Sequence, residues 1–118
     1  MNKATVTRYM QAFRQTDRTT ILDCLTDDVT WRIPGFFEST GMAEFATHIV
    51  AEGFAGKPDI SVSRLTEEDN VVVAEGTVRA QRTDGAVLDL AFCDVFEMRG
   101  GKIAGLTSYL VTVSQTMP

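Results

Sequence analysis

Strand alternation is clearest in one segment of the chain, Leu88-Asp89-Leu90-Ala91-Phe92-Cys93-Asp94-Val95-Phe96-Glu97-Met98. Side chains of a strand point alternately to the two faces of its sheet, so every second residue shares a face. One face is apolar apart from a single carboxyl group, and its members are Leu88, Leu90, Phe92, Asp94, Phe96 and Met98. A carboxyl group in such surroundings is costly to ionise and either has a strong partner or keeps its proton. The pattern predicts an apolar sheet face and makes Asp94 a candidate site residue.

The alternation of side chains with a period of two extends on both sides of this segment. From Asp59 onward it persists, with turn signals at Asp69-Asn70, Asp84-Gly85 and Gly100-Gly101. These signals separate four long strands, each close in sequence to the next. The C-terminal half is therefore predicted to be an antiparallel meander.

The N-terminal half has helical spacing instead. A first helix is predicted from about residue 2 to residue 15, and Asp17 is predicted to cap a second, shorter helix. The apolar residues that indicate the first helix are Val6, Tyr9, Met10 and Phe13. Helices that precede a twisted sheet indicate an α+β domain, with the helices packed on a concave sheet face.

Between the second helix and the long strands, the sequence predicts a short strand, a loop and a third helix. The strand has Val29, Trp31 and Ile33 on one face and is ended by Pro34-Gly35. A loop is predicted from Phe36 to Gly41. The third helix is predicted from about Met42 to Phe54, and the apolar residues on its buried side are Phe45, Ile49 and Val50.

Length and composition limit the functions open to the chain. Its 118 residues, 44% of them hydrophobic, predict one domain over 1–118 with a single core. A formal charge of −5 with scattered Lys and Arg argues against nucleic-acid or anionic-membrane partners. We find no signal peptide or membrane span in the sequence, so a cytoplasmic location is expected.

Metal and organic cofactors are not indicated. Cys24 and Cys93 are far apart and follow no metal-binding spacing, and the chain has one histidine, His48. We expect two buried, reduced thiols.

Several short strings resemble the nuclear transport factor 2-like superfamily, which includes the SnoaL-like polyketide cyclases and ketosteroid isomerase. The strings are Leu25-Thr26-Asp27-Asp28-Val29-Thr30-Trp31, Pro34-Gly35, Gly41, Asp94-Val95-Phe96, Gly101-Lys102-Ile103 and Tyr109. The resemblance spans almost the whole chain. It implies a cone-shaped, curved antiparallel sheet packed against three N-terminal helices, with a mostly apolar cavity between them.

The comparison with ketosteroid isomerase assigns roles to individual residues. Tyr9 matches that enzyme's oxyanion-hole tyrosine, and Asp94 matches its protonated oxyanion-hole aspartic acid. Ile33 stands where the isomerase has its general base, and Val111 stands where many relatives have an acid. The resemblance thus implies a hydrogen-bonding pair without the usual base, which makes ketosteroid isomerisation an unfavoured activity.

Two other residues are weak candidates for the missing base. Glu38 follows Pro34-Gly35 near the expected cavity mouth, and His48 lies on the predicted third helix. A loop carboxylate is more often solvated, and a helix histidine more often lies at the surface.

Two functional classes stay open at this point. The first is a small-molecule site, in a binding protein or in an isomerase, cyclase or hydrolase of hydrophobic carbonyl compounds, in which Tyr9 and Asp94 donate to a ligand oxygen. Its predicted ligand-binding residues are Phe13, Trp31, Ile33, Phe45, Ile49, Leu90, Phe92, Phe96 and Tyr109. The second is a non-catalytic interaction module whose pocket is filled by side chains. In that case Asp94 could pair with Arg32, Arg79 or a tyrosine hydroxyl, and Tyr9 could be an ordinary core tyrosine.

The second face of the sheet is also apolar. Val87, Ala91, Cys93 and Val95 alternate with the residues around Asp94. A chain of this size seldom exposes such an area, so a homodimer through the sheet is expected.

Overall fold

The structure has the α+β architecture that the sequence predicts, with the helices preceding the long strands. It is a computed structural model that describes residues 1–50 and 53–116. Within these residues there are three α-helices and six β-strands. They are α1 (Asn2–Arg14), α2 (Arg18–Asp23), β1 (Leu25–Ile33), β2 (Phe37–Thr40), α3 (Met42–Thr47), β3 (Phe54–Glu68), β4 (Val71–Arg82), β5 (Val87–Arg99) and β6 (Lys102–Thr116).

All the described strands belong to one curved, open sheet in the order β2-β1-β6-β5-β4-β3. β3, β4, β5 and β6 pair with their sequence neighbours in antiparallel fashion, which confirms the predicted meander. β1 instead runs parallel to β6, with Trp31 opposite Leu106. The sheet is therefore mixed, and the first strand joins it beside the last.

The predicted turns all lie between strands. Asp69 and Asn70 have φ of 51° and 62°, and Gly100 and Gly101 have φ of 60° and 77°. Two successive residues with positive φ match the right-handed twist of a tight hairpin, and Asn, Asp and Gly adopt that conformation most readily. These sequence signals thus fix where the long strands reverse.

The first two helices also agree with their predicted features. Val6, Tyr9 and Met10 are buried on one side of α1. The Asp17 side chain accepts a hydrogen bond from the Thr20 N–H and caps α2, as predicted.

The predicted loop from Phe36 to Gly41 is wrong, because Phe37–Thr40 forms β2. This strand pairs with β1, with Trp31 opposite Ser39 and Ile33 opposite Phe37. Pro34-Gly35 is the turn of that hairpin and not the end of an isolated strand. The Phe37 ring packs edge-on against Trp31 at 5.2 Å, and this contact accompanies the pairing.

The predicted third helix is too long. α3 ends at Thr47, and the backbone N–H of His48 caps it by donating to the Phe45 carbonyl. Residues 51–52 of the predicted helix lie outside the described residues, and Phe54 already belongs to β3. β3 also begins before its predicted start at Asp59. Its pairing with β4 continues on both sides of Pro58, with a shift of register between Ala55 and Asp59.

The core lies between the helices and the concave face of the sheet. Phe45 of α3 and Phe96 of β5 are fully buried there. The alternation of β5 is confirmed, since Phe92, Asp94, Phe96 and Met98 are all buried. None of the described helices is long and apolar enough to cross a membrane.

Candidate functional site

A cavity of about 310 Å³ lies between the helices and the concave face of the sheet. α1 and the residues after α3 form one side of it, and all six strands contribute to the rest. Its lining is almost entirely apolar or aromatic. The polar side chains on it are few: Tyr9, Trp31, His48, Asp94 and Ser108.

Most of the residues predicted for the site lie on this cavity. Tyr9 and Asp94, the predicted hydrogen-bonding pair, both line it. Six of the predicted ligand-binding residues do as well: Phe13, Trp31, Ile33, Ile49, Leu90 and Phe92. They come from α1, β1, β5 and the turn after α3, so the fold brings distant parts of the chain together here.

Phe45 and Phe96 lie behind the wall of the cavity and not on it. Both are fully buried, and their ring centroids lie 6.4 Å and 5.4 Å from that of Tyr9. The Phe45 ring also stacks on Trp31 at 4.6 Å. They act as support for Tyr9 and Trp31, because a ring packed on several sides has little freedom to move.

The structure corrects the expected position of Tyr109. Its side chain is 49% exposed, whereas its neighbours Ser108 and Leu110 line the cavity. The reason is the register of β6, in which Ser108 pairs with Asp94 and Tyr109 pairs with Cys93. Tyr109 therefore shares the outer face of the sheet with Cys93.

Asp94 is the buried acid of the cavity. It is 9% exposed, and the described residues give it no ion-pair partner: Arg79 pairs with Asp89, and Arg32 lies beside Thr107. Burial raises the pKa of Asp94 to about 7, while a hydrogen bond with Ser108 opposes part of this rise. At neutral pH a large share of the Asp94 side chains therefore carries a proton.

Ser108 lies opposite Asp94 in the register of β5 and β6 and contacts the indole of Trp31. The Trp31 Nε1–H donates to Ser108 Oγ over 3.1 Å, and Ser108 itself is 4% exposed. These two residues are 77 positions apart in the chain and meet because β1 pairs with β6. These polar groups of the wall therefore lie on three neighbouring strands, β1, β6 and β5.

Tyr9 is held in its neutral form. The side chain is 2% exposed, and burial together with the nearby Asp94 carboxyl raises the pKa of Tyr9 far above its ordinary value. Tyr9 therefore keeps its hydroxyl proton at any physiological pH and can donate it in a hydrogen bond.

The structure places the weak candidates for a general base in different surroundings. His48 lines the cavity, and its ring stacks on Phe37 at 4.2 Å with an interplanar angle of 13°. Glu38 is exposed and does not line the cavity. Ile33 lines the cavity and has no group that can transfer a proton. Val111 lies on the outer face and is 64% exposed.

Sequence analysis missed several lining residues, of which Ser108 and Phe37 matter most. Ser108 alternates with Leu106 and Leu110, and this pattern marks the inner face of β6, but a serine among apolar residues gives little hint of function. Phe37 was assigned to a loop, so its position opposite Ile33 could not be anticipated.

The described residues contain no group of three or more acidic, histidine or cysteine side chains that could hold a metal ion. Cys24 is buried, Cys93 is half-buried, and both are free thiols. Tyr9 and Asp94 are among the polar side chains of the cavity wall, and hydrogen bonds made in such apolar surroundings are strong.

Comparison with known families gives one match. The model of the SnoaL-like domain matches residues 6–106, which is most of the chain. Comparison with curated proteins gives no match.

Solved structures with the same fold include proteins of different descriptions. An LEH-like epoxide hydrolase from M. tuberculosis is 21% identical, with a TM-score of 0.80 over 92% of this chain and 80% of that one. A putative polyketide cyclase from Xanthomonas campestris pv. campestris is 22% identical, with a TM-score of 0.83 over 92% and 88%. A nuclear transport factor 2-like protein of unknown function from Burkholderia pseudomallei is 22% identical, with a TM-score of 0.85 over 93% and 90%. These similarities show the fold alone.

Proposed function

The chain belongs to the SnoaL-like domain family, and from this premise we propose that its cavity binds a small hydrophobic molecule through a carbonyl or enolate oxygen. The observation that carries the proposal is Asp94, a buried acid on an apolar wall with a pKa raised to about 7. A protonated carboxyl group is a strong donor, and a ligand oxygen is the partner that it lacks.

The shape and lining of the cavity support this ligand class. A volume of about 310 Å³ is at the small end of the range for ligand sites, and such sites are mostly apolar with few polar groups. Tyr9 and Asp94 supply two donors on one wall. A ligand with one polar oxygen and an apolar body would match this distribution.

Binding is the function that these residues support best. An isomerase or cyclase needs a group that moves a proton, and Ile33 provides none at the position where ketosteroid isomerase has its base. Two solved structures with this fold have the names of enzymes, an epoxide hydrolase and a putative polyketide cyclase, so a reaction on the bound molecule would be an extension of binding. His48 is a further side chain on the wall that such a reaction could use for proton transfer.

The proposal predicts that the ligand oxygen contributes to affinity only through Tyr9 and Asp94. The matched ligands for this test are α-tetralone, a fused bicyclic ketone, and tetralin, its analogue without the oxygen. At about pH 6 the wild-type protein should bind the ketone at least about tenfold more tightly, since two hydrogen bonds in a buried site contribute about 1 kcal/mol each. Tyr9→Phe and Asp94→Ala should each remove much of this preference, and Asp94→Asn should lose less because its amide still donates. Isothermal titration of the four proteins with both ligands measures these preferences.

Matched variants on the outer face control for general damage. Tyr109→Phe and Asp89→Asn change the same residue types away from the cavity and should leave both affinities unchanged. Equal affinity of the wild-type protein for the ketone and tetralin would contradict the proposal. So would an unchanged preference in both Tyr9→Phe and Asp94→Ala.

A second candidate function rests on the outer face of the sheet. Tyr109, Val111 and Val113 of β6 are 49%, 64% and 66% exposed and adjoin the half-buried Cys93 and Val95 of β5. An apolar patch of this kind is typical of protein–protein interfaces. We propose that two copies of the chain pair through this face, with or without a ligand in the cavity.

A further inference from the structure

We infer that His48 is a second polar contact for the ligand, and that the ligand carries a hydroxyl group at the end away from its carbonyl oxygen. The inference rests on the proposed function and deepens it, because it adds a second group to the molecule bound through Tyr9 and Asp94. Its basis is the place of His48 in the cavity. The residue is half-buried, lines the cavity and lies against Phe37 of β2.

The polar side chains of the cavity face it from two separate regions. Asp94 is on β5 and His48 lies beside Phe37 on β2, and the sheet has β6 and β1 between these strands. Three strand spacings, about 14 Å along the curved sheet, therefore separate Asp94 from Phe37. Both side chains reach inward from their strands, so a ligand has a shorter gap to span. One molecule can contact both regions.

The wall between the two regions is aromatic. The Trp31 ring stacks on Phe45 at 4.6 Å and contacts Phe13 edge-on at 6.0 Å. The bond of 3.1 Å from its indole N–H to Ser108 also holds it in place. A ligand that reaches from Asp94 to His48 passes this surface, and it therefore needs an apolar body between its two polar groups.

The contacts of His48 fix the plane of its imidazole. The ring is nearly parallel to Phe37, with centroids 4.2 Å apart, and nearly perpendicular to Trp31 at 6.4 Å. The nitrogen atoms of an imidazole lie on the edge of the ring, which a stacked neighbour does not cover. The end of α3 is capped by the backbone N–H of His48 and does not involve the imidazole. The ring is thus held in one orientation before a ligand arrives, which lowers the entropy cost of binding.

The chemistry of imidazole selects a hydroxyl group as its partner. A neutral imidazole has one donor and one acceptor, and a protonated one has two donors. A hydroxyl group donates and accepts, so it pairs with either form. The next two residues of the lining, Ile49 and Val50, have no polar side-chain atom. A ligand hydroxyl at this end of the cavity would be costly to bury without His48.

The first test compares 6-hydroxy-1-tetralone, whose hydroxyl group is at the end away from the ketone, with α-tetralone. The wild-type protein should bind the hydroxyketone about fivefold more tightly, as expected for one added hydrogen bond. His48→Phe keeps a ring that can stack on Phe37 but has no nitrogen, and it should lower this ratio to one or below. His48→Gln has a donor and an acceptor and should recover part of the ratio. Tyr109→Phe, on the outer face, is the control and should keep the wild-type ratio. Isothermal titration measures the affinities.

The second test observes the imidazole directly. The chain has one histidine, so the imidazole ¹⁵N signals in an NMR spectrum belong to His48. 6-Hydroxy-1-tetralone should shift these signals more strongly than α-tetralone, because a hydrogen bond acts on the nitrogen itself. This measurement needs only the wild-type protein, so it decides the matter even if His48→Phe fails to fold.

The two tests separate this inference from the proposed function. Equal wild-type affinity for the two ketones, an unchanged ratio in His48→Phe, or equal ¹⁵N shifts would each overturn the second contact. If α-tetralone still binds more tightly than tetralin in such a case, the proposed function stands without it. If that preference is missing but the hydroxyl group raises affinity through His48, the proposed function fails and the second contact stands.

Discussion

Two acids five positions apart on β5, Asp89 and Asp94, have opposite properties. Asp89 lies on the outer face and accepts two bonds from Arg79, at 2.8 Å and 3.1 Å, and one from Ser114. The Arg79 guanidinium holds the pKa of Asp89 below its ordinary value. Asp94 lies on the concave face, where burial raises its pKa to about 7.

The comparison shows that the face of the sheet decides the chemistry of a carboxyl group on this strand. The odd spacing of the two acids places them on opposite sides. On the outer side water and a cation favour the charged form, and on the inner side apolar rings favour the neutral form. An acid of the second kind raises the free energy of the folded state when it ionises, which is unusual unless the group has a use.

The largest expected effect is on the pH dependence of stability. The pKa of Asp94 is about 7 in the folded protein and about 4 when unfolded, so the folded state binds more protons between these values. Its contribution to stability is complete below about pH 4 and is lost as the pH rises through about 7, by on the order of 4 kcal/mol. Asp94→Asn removes this loss. Chemical unfolding should thus find the variant gaining stability relative to wild type as the pH rises.

Asp89→Asn is the matched variant for this measurement. The pKa of Asp89 is lowered in the folded state, so its contribution is present above the unfolded value and is lost as the pH falls. The variant should therefore follow the wild-type curve from about pH 5 to 8. Parallel curves for wild type and Asp94→Asn would show that Asp94 is an ordinary, solvated acid.

A smaller effect on the cavity is expected from changes to the outer face. Val111→Glu adds a charge to the patch of Tyr109, Val111 and Val113, and the chain already has a formal charge of −5. Two copies paired through this patch would bring the new charges into an apolar contact, which is costly. Sedimentation should find two chains per particle in the wild type and one in the variant, with the affinity for α-tetralone unchanged. A single-chain wild-type particle at micromolar concentration would remove the proposed dimer.

The sequence predicted the concave face of β5 well because burial there follows a strict period of two. The burial of Phe92, Asp94 and Phe96 could be predicted without knowledge of the rest of the fold. β6 was harder, since both of its faces are apolar. Leu106 and Leu110 lie on the same face as Ser108, and Tyr109, Val111 and Val113 make the other face equally apolar, so the pattern alone does not show which face is inward.

Contacts between distant parts of the chain could not be predicted from the sequence. The bond from Trp31 to Ser108 depends on the parallel pairing of β1 with β6, and no local signal specifies that pairing. The end of α3 at Thr47, earlier than predicted, also has no local signal in the sequence. Ile49 fits a helical period and is buried, but it follows the helix in a turn that brings His48 against Phe37.

The central claim is that a neutral Asp94 donates to the ligand, and the pH dependence of α-tetralone binding tests it most directly. The ketone does not titrate, so any change in affinity belongs to the protein. Wild-type affinity should be constant below about pH 6 and fall through a midpoint of about 7, while Asp94→Asn should bind with a flat profile. A flat wild-type profile, or a fall that persists in Asp94→Asn and so belongs to another group such as His48, would contradict the claim.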